Sequence, residues 1–305
     1  MQKIAMVFPG QGSQSVGMLN AFETLPHFSL MQELFAQASD ILSYDLWKLI
    51  QEGPLEKLNQ TEITQPALLV SSVALWKLWK TKSDVMPIVF AGHSLGEYSA
   101  LVCSGVLSFE EGVKCVANRG KYMQEAVPEG KGAMAAIIGL TPEKIGEICK
   151  TASEGEIVSA ANINAPGQIV IAGEAQAVDR AMSAAKTAGA KLIKKLDVSV
   201  PSHCALMNGA AEKLKLLMDT MNFQKPYIPV IQNTSASVNN SIEEIKTALC
   251  DQLFSPVRWV ESIERLSRDF APEVIIECGP GKVLAGLNKR IMTIPTISIE
   301  DALHV

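Results

Sequence analysis

The stretch that most constrains this chain is Gly92-His93-Ser94-Leu95-Gly96, set between two segments of different period. Before it, residues 87–91 form a short apolar run suited to a buried strand. After it, Leu95, Tyr98, Leu101 and Val102 recur at helical spacing, and Gly105 can end the helix. A strand that bends into a helix within five residues needs glycines where backbones come close, and the serine between them stands on the bend with its Oγ turned outward. The helix that starts there aims free N–H groups and its positive end at whatever binds the serine, so the site favours an oxyanion. Ordinary glycine-rich turns can carry the same five letters. The strand before and the helix after are what favour Ser94 as a nucleophile.

A serine nucleophile needs a base, and the chain has four histidines. His27 lies in a loop or helix start, His93 adjoins Ser94 and points to the other face of the bend, and His304 is in the terminal tail. His203 precedes a helix marked by Leu206, Ala210, Leu214, Leu217 and Met221. A helix N-terminus disfavours the imidazolium, which would keep the ring neutral and able to take a proton; a capping or packing histidine is the alternative. No Asp or Glu in the C-terminal part is placed as a triad acid. Arg119 flanks an apolar stripe (Phe109, Val113, Val116, Gly120, Met123) on a helix opened by the capping box Ser108-Phe109-Glu110-Glu111, and periodicity alone makes it a snorkelling surface residue.

The first strand, residues 3–8, runs into Pro9-Gly10-Gln11-Gly12-Ser13-Gln14. A dinucleotide loop is excluded because the third glycine would fall on Ser15, and no G-K-[ST] supports a phosphate loop. A loop with exposed N–H groups at the carboxyl edge of a strand remains, able to supply a second oxyanion donor. Helical patterns follow at 28–42, 45–51 and 65–80, the last with Thr64 as cap, Pro66 near its first turn, and Trp76 and Trp79 as packing residues. From 131 to 196 the texture changes: strand 134–138, helix 142–151, strands 157–162 and 168–172, helix 175–188, strand 191–196. That β-α-β-β-α-β order is the split β-α-β of ferredoxin-like folds. Further on, residues 229–232 and 274–277 read as strands and 242–253 as a helix. Ser255-Pro256-Val257-Arg258-Trp259 opens another helix, and Gly279-Pro280-Gly281-Lys282 forms a turn. The expected fold class is α/β, with a core of residues 1–127 and 198–305 carrying a ferredoxin-like insert of residues 128–197.

With 48% apolar and 19% charged residues and a net charge of -5, the composition describes a compact globular chain. The absence of a Lys/Arg run longer than Lys194-Lys195 argues against nucleic acid and anionic membrane as partners. No stretch approaches the roughly 18 to 20 apolar residues of a membrane span. Met-Gln-Lys leads straight into a strand, so no signal peptide is expected and the cytoplasm is the expected compartment. Six scattered cysteines, with no C-x-x-C pair and no metal-ligand spacing, read as reduced, mostly buried residues.

Across nearly its whole length the chain resembles the malonyl-CoA:acyl carrier protein transacylases, acyltransferases of type II fatty acid synthesis. The resemblance is carried by Phe-Pro-Gly-Gln-Gly-Ser-Gln at 8 to 14, Gly-His-Ser-Leu-Gly-Glu at 92 to 97, and Arg119 with Met123-Gln124. It continues through Asn-Ala-Pro-Gly-Gln at 164 to 168, Val-Pro-Ser-His-Cys-Ala-Leu-Met at 200 to 207, and Gln-Asn-Thr-Ser-Ala at 232 to 236. It closes with Gln252-Leu253, Ser-Pro-Val-Arg-Trp at 255 to 259, and Gly-Pro-Gly-Lys-Val-Leu at 279 to 284. It implies a hydrolase-like α/β core, mainly parallel, with a ferredoxin-like small domain. It implies Ser94 as nucleophile and His203 as base, with backbone N–H groups of Gln11 and Leu95 as the oxyanion hole. Arg119 would hold the malonyl carboxylate, and a main-chain carbonyl at Gln252 would orient the histidine in place of an aspartate. Ser202 fits the malonyl-type pattern. The implied partners are malonyl-CoA and acyl carrier protein, with no metal or other cofactor. Carrier docking would need a local basic patch, for which Lys191, Lys194, Lys195, Lys282 and Lys289 are candidates. Two rivals stand beside this. A serine hydrolase would place its histidine late in the chain, where only His304 occurs. A non-catalytic acyl-binding subunit would not need Ser94, His203 and Arg119 intact.

Overall fold

The computed structural model describes residues 2–198, 200–239 and 241–304. The strands are β1 (Ile4–Phe8), β2 (Val89–Gly92), β3 (Gly132–Ile138), β4 (Val158–Ala165), β5 (Gln168–Glu174), β6 (Leu192–Lys195), β7 (Val230–Ile231), β8 (Val274–Glu277) and β9 (Thr296–Ser298). The helices of the N-terminal half are α1 (Ser29–Leu42), α2 (Leu46–Glu52), α3 (Leu55–Leu58), α4 (Thr61–Lys82), α5 (Leu95–Cys103) and α6 (Phe109–Ala126). Those that follow are α7 (Pro142–Ser153), α8 (Ala175–Thr187), α9 (Asn208–Met218), α10 (Ile242–Phe254), α11 (Trp259–Phe270), α12 (Val283–Asn288) and α13 (Ile299–His304).

One sheet is five-stranded in the order β7-β2-β1-β8-β9, every pairing parallel. Parallel strands are covered on both faces, which is why β1 reads Ile-Ala-Met-Val-Phe without a polar residue and is wholly buried. Met6, Phe8 and Phe90 face one core, where Phe90 meets Phe8 and Trp76 edge-on; Ala5, Val7, Val89 and Ala91 face another, against Trp259, Ile263 and Leu266 of α11. Trp76 and Trp79 are buried packing residues, as their spacing predicts.

The second sheet is antiparallel, in the order β4-β5-β3-β6, and its chain order is β-α-β-β-α-β. One face packs α7 and α8 through Ile137, Ile145, Ile148, Ile171 and Val178. The other face, including Met134, Ala161, Val170 and Ala172, turns toward Cys204. β4 is tied to the larger sheet's surroundings by Ile163 N–H donating to Val257 O and Val257 N–H donating to Ala161 O, both 2.9 Å. Register shifts at Ala160/Asn162 and Ile163/Ala165 break β4 where it meets that edge. The fold is thus α/β with a parallel hydrolase-like core and a ferredoxin-like small unit.

Besides the short helices α3, α12 and α13, which the sequence reading did not include, two elements differ from the sequence expectation. Helix α4 begins at Thr61, four residues earlier than expected, so Pro66 lies inside it and Thr64 is not its cap. Proline cannot donate to the Glu62 carbonyl, but the turn before it is secured by Ile63 and Thr64 N–H groups donating to Gln60 O at 2.8 Å each. Strand β9, at the sheet's edge, went unread because three residues carry no periodic signal.

Candidate active site

Ser94 sits between the end of β2 and the start of α5 with φ +51° and ψ −108°, a conformation few side-chain-bearing residues adopt. The flanking glycines are dictated by contact. A Cβ on Gly92 would lie 2.0 Å from the Gly96 carbonyl, and one on Gly96 would lie 1.9 Å from Phe8 O. The bend therefore packs directly on the end of β1, and Ser94 is presented at the carboxyl edge of the sheet. As the first residue of α5, Leu95 carries an N–H with no partner inside the helix.

Ser94 Oγ lies 2.8 Å from His203 Nε2, and His203 Nδ1 lies 2.6 Å from the Gln252 carbonyl oxygen. A carbonyl can only accept, so Nδ1 carries the proton and Nε2 is left to accept from the serine hydroxyl. His203 is buried, and its N–H donates to Leu253 O at 2.9 Å. Burial first, and the nearby Arg119 cation second, lower its pKa to about 3, against the opposing pull of the Gln252 carbonyl. This corrects the reason for its neutrality. Helix α9 begins only at Asn208, after a short 3-10 turn at Ala205–Met207, so a helix N-terminus is not the main cause.

Arg119 is fully buried, not a snorkelling surface residue. Its Nη1 donates to Gln65 Oε1 (2.7 Å) and its Nη2 to Gln252 Oε1 (2.9 Å), with Ser94 Oγ 3.4 Å from Nη2. The guanidinium lies over the Tyr98 ring at 5.1 Å, and Nε has no partner.

A cleft of about 180 Å³ lies between the two sheets. Gln11, Ser94, Ser202 and His203 line it from the core side, and Met134, Asn162, Asn164 and Val170 from the antiparallel sheet. Leu95, Arg119 and Gln252 are buried behind that wall. The structure thus brings all seven sequence-selected residues to one place, three of them beneath its surface. His93 turns aside, its Nε2 2.8 Å from Asn164 Oδ1 and its ring 5.4 Å from Trp259. Of the candidate basic residues, Lys195 pairs with Asp179 (2.7 Å) and Lys282 with Asp301 (2.9 Å), while Lys191, Lys194 and Lys289 are exposed.

Three residues of the site were not foreseen. Asn233 clamps the bend: its Oδ1 accepts from Ser94 N–H (2.7 Å) and its Nδ2 donates to Gly92 O (2.6 Å). Glu97, wholly buried, accepts on Oε2 from Asn233 N–H (2.9 Å) and Gln252 Nε2 (2.8 Å), and burial pushes its carboxyl up to about 7. Gln65 completes the cage around Arg119. The signals for Asn233 were its place just past a short strand, at the edge where such sheets keep their sites, and its membership of the Gln-Asn-Thr-Ser-Ala block, neither of which gave it a role.

Among the described residues no His/Cys/Asp/Glu group could hold a metal ion, and no helix is long and apolar enough to cross a membrane. A neutral imidazole bonded to a strained serine, with helix N–H groups beneath and a buried cation alongside, is equipped for acyl transfer through the hydroxyl.

The sequence model of the acyl transferase domain family matches residues 5–293, and acyl transferase is the class that this fold and site define. A malonyl CoA-acyl carrier protein transacylase of Haemophilus influenzae is 55% identical over 303 residues, 99% of this chain and 96% of that protein. One of Escherichia coli K12 is 51% identical over 298 residues, 98% of this chain and 96% of that protein. Among solved structures, the malonyl CoA-acyl carrier protein transacylase of Coxiella burnetii superposes with a TM-score of 0.95 at 49% identity, covering 98% of this chain and 94% of that one. A malonyl-transacylase solved with its type II polyketide acyl-carrier protein gives 0.96 at 50% identity, covering 99% and 98%. The chain belongs to the malonyl CoA-acyl carrier protein transacylase family of acyl transferases.

Proposed function

We propose that this protein moves a malonyl group from malonyl-CoA to the phosphopantetheine thiol of an acyl carrier protein through a malonyl ester on Ser94, supplying extender units for fatty acid synthesis. The Ser94 hydroxyl attacks the thioester carbonyl while His203 Nε2 takes its proton. The C–S bond breaks, and the sulfur leaves as coenzyme A with that proton. The carrier thiol then attacks the ester carbonyl and gives its proton to His203; the C–O bond breaks as His203 returns that proton to Ser94 Oγ, so the kinetics are ping-pong. Backbone N–H groups of Gln11 and Leu95 hold the oxyanion in both halves. The Gln252 carbonyl keeps His203 in the accepting tautomer, and Arg119 grips the malonyl carboxylate as a fork that stays charged. Ser202 lines the acyl side of the cleft, and no metal or cofactor is required. The reading places the enzyme in the cytoplasm and divides the chain into a core of 1–127 with 198–305 and an inserted unit of 128–197.

The observation that carries the reading is the convergence of Ser94 Oγ with His203 Nε2 at 2.8 Å and Arg119 Nη2 at 3.4 Å. The relatives' names support the choice of malonyl and carrier protein. Mixing the protein with malonyl-CoA should give a malonyl adduct on Ser94 by mass spectrometry, discharged on adding holo carrier protein. Free malonate as the main product would make it a hydrolase, and no adduct would make it an acyl-binding subunit.

A further inference from the structure

Glu97 is a carboxyl group that the steps above do not use. It is wholly buried, three residues beyond Ser94, and makes its contacts through one oxygen. Oε2 accepts from Asn233 and Gln252, while Oε1 has no partner. Gln252 links it to the rest of the site. The amide that donates to Glu97 also accepts from Arg119 Nη2 at 2.9 Å, so acid and guanidinium stand at the two ends of one amide group. A dicarboxylic acyl group brings a second carboxylate to the same guanidinium.

On the functional reading above, we propose that Glu97 sets the selectivity of the site for acyl groups bearing a carboxylate: when ionised, it shares the charge of Arg119 through Gln252 and opposes the incoming anion. Glu97 is a positioning and charge-setting residue that touches neither substrate nor reacting atoms. The geometry lets charge be separated from hydrogen bonding. An amide whose oxygen takes the place of Oε2 keeps both accepted bonds, and its NH2 falls where Oε1 has none. Glu97→Gln therefore removes the charge and leaves the scaffold.

Of the titratable and charged groups nearby, Arg119 of α6 acts on Glu97 directly, Tyr98 of its own helix is coupled to it and in turn to Cys115 of α6 and Cys250 of α10, and His203 lies beyond Gln252; α4 contributes the neutral Gln65. Burial holds the Tyr98 hydroxyl well above its usual range and pushes Cys115 to about 12 and Cys250 to about 11, while His203 is pulled down to about 3. None of them changes charge between about pH 5 and 9, and a guanidinium carries a fixed charge. The Glu97 carboxyl, raised to about 7 chiefly by burial, does change.

The test compares malonyl-CoA with acetyl-CoA as donors to holo carrier protein, at about pH 6 and about pH 8.5, for the parent and Glu97→Gln. The parent's malonyl-over-acetyl ratio of kcat/KM should fall roughly ten- to thirtyfold between the two, the effect of one charge some 8 to 10 Å away at an effective dielectric near 20. In Glu97→Gln the ratio should stay level, at or above the parent's acid-side value. A level ratio in the parent, or the same fall in both proteins, overturns the proposal while leaving an adduct on Ser94 intact. No adduct in the parent overturns the functional reading and this inference with it. Should Glu97→Gln fail to fold, the parent's own pH course still tests the proposal, because a level ratio there overturns it.

Discussion

Replacing Arg119 with alanine separates what the guanidinium does for the fold from what it does for the acyl group. In the free protein the cation is buried, with Nε unpartnered and two amide oxygens, Gln65 Oε1 and Gln252 Oε1, as its acceptors. Truncation strands those two oxygens at about 1–3 kcal/mol each. It also removes a desolvated charge whose burial itself costs several kcal/mol. The two effects oppose, so the net loss is expected to be about 2 kcal/mol, a fall in Tm of roughly 3 °C for a chain of this size. Selectivity should move much further. In the parent an acetyl group leaves the guanidinium without an anion, a deficit of about 3–5 kcal/mol relative to malonyl, or roughly two to nearly four decades in rate ratio. In Arg119→Ala that ratio should collapse toward unity, chiefly through loss of the malonyl reaction. The assay is the initial rate of adduct formation on Ser94 with each donor, followed by mass spectrometry beside a thermal melt. A variant that keeps the parent's preference, or that loses both donors equally while its Tm holds, would refute the clamp.

Because the folded-state pKa of His203 is lowered to about 3, the ring stays neutral in mild acid, and acylation should not fall as pH drops from about 6.5 to about 5; an acid limb centred near 6.5 would contradict this. The same shift contributes stability that is complete above the unfolded value of 6.5 and is lost as pH falls toward 3, so His203→Gln should flatten that part of a stability-against-pH curve. Asn233→Ala leaves the Ser94 N–H and the Gly92 carbonyl without their partner and should slow single-turnover acylation about ten- to a hundredfold with little change in KM. An unaltered acylation rate would remove Asn233 from the site. In Gly96→Ala the new Cβ would meet Phe8 O at 1.9 Å, so β1 and α5 must part, at a cost above about 3 kcal/mol; a melt within a few degrees of the parent would show the bend to be softer than its packing implies.

Legibility in the sequence followed range. The bend at Ser94 was readable because all of it lies within about ten residues, and β8 and the helices with capping boxes at Ser108 and Ser241 lie within a residue or so of their periodic signals. The insert's order was readable because each of its elements is long enough to show a period. What failed was whatever depends on distant partners. Arg119 looked like a surface residue because periodicity cannot tell a helix face turned to solvent from one turned to a buried polar cage; only the family resemblance pointed to it. Asn233 and Gln252 reach Ser94 across 139 and 158 positions, and no local pattern reports such a contact. The neutrality of His203 was expected, but its cause lies in burial and in a cation 84 positions away in the chain (203 minus 119).

The carbonyl behind His203, where a hydrolase would place an acid, bears on which nucleophile the site serves. A carboxylate at Nδ1 would fix the tautomer and also stabilise the imidazolium; the Gln252 carbonyl at 2.6 Å fixes the tautomer without adding a charge. With the Arg119 cation near and the ring buried, His203 is a weak base, and burial, the larger cause, persists through both halves of the proposed reaction. A weak base is poorly matched to water, with a pKa near 15.7, and far better matched to a thiol, near 8.5. On the proposed function, a malonyl ester on Ser94 would therefore resist hydrolysis until a thiol arrives. Ser94 itself does not suffer the same penalty. The cation that weakens the base stands 3.4 Å from Ser94 Oγ, where it also stabilises the charge that develops as the hydroxyl attacks.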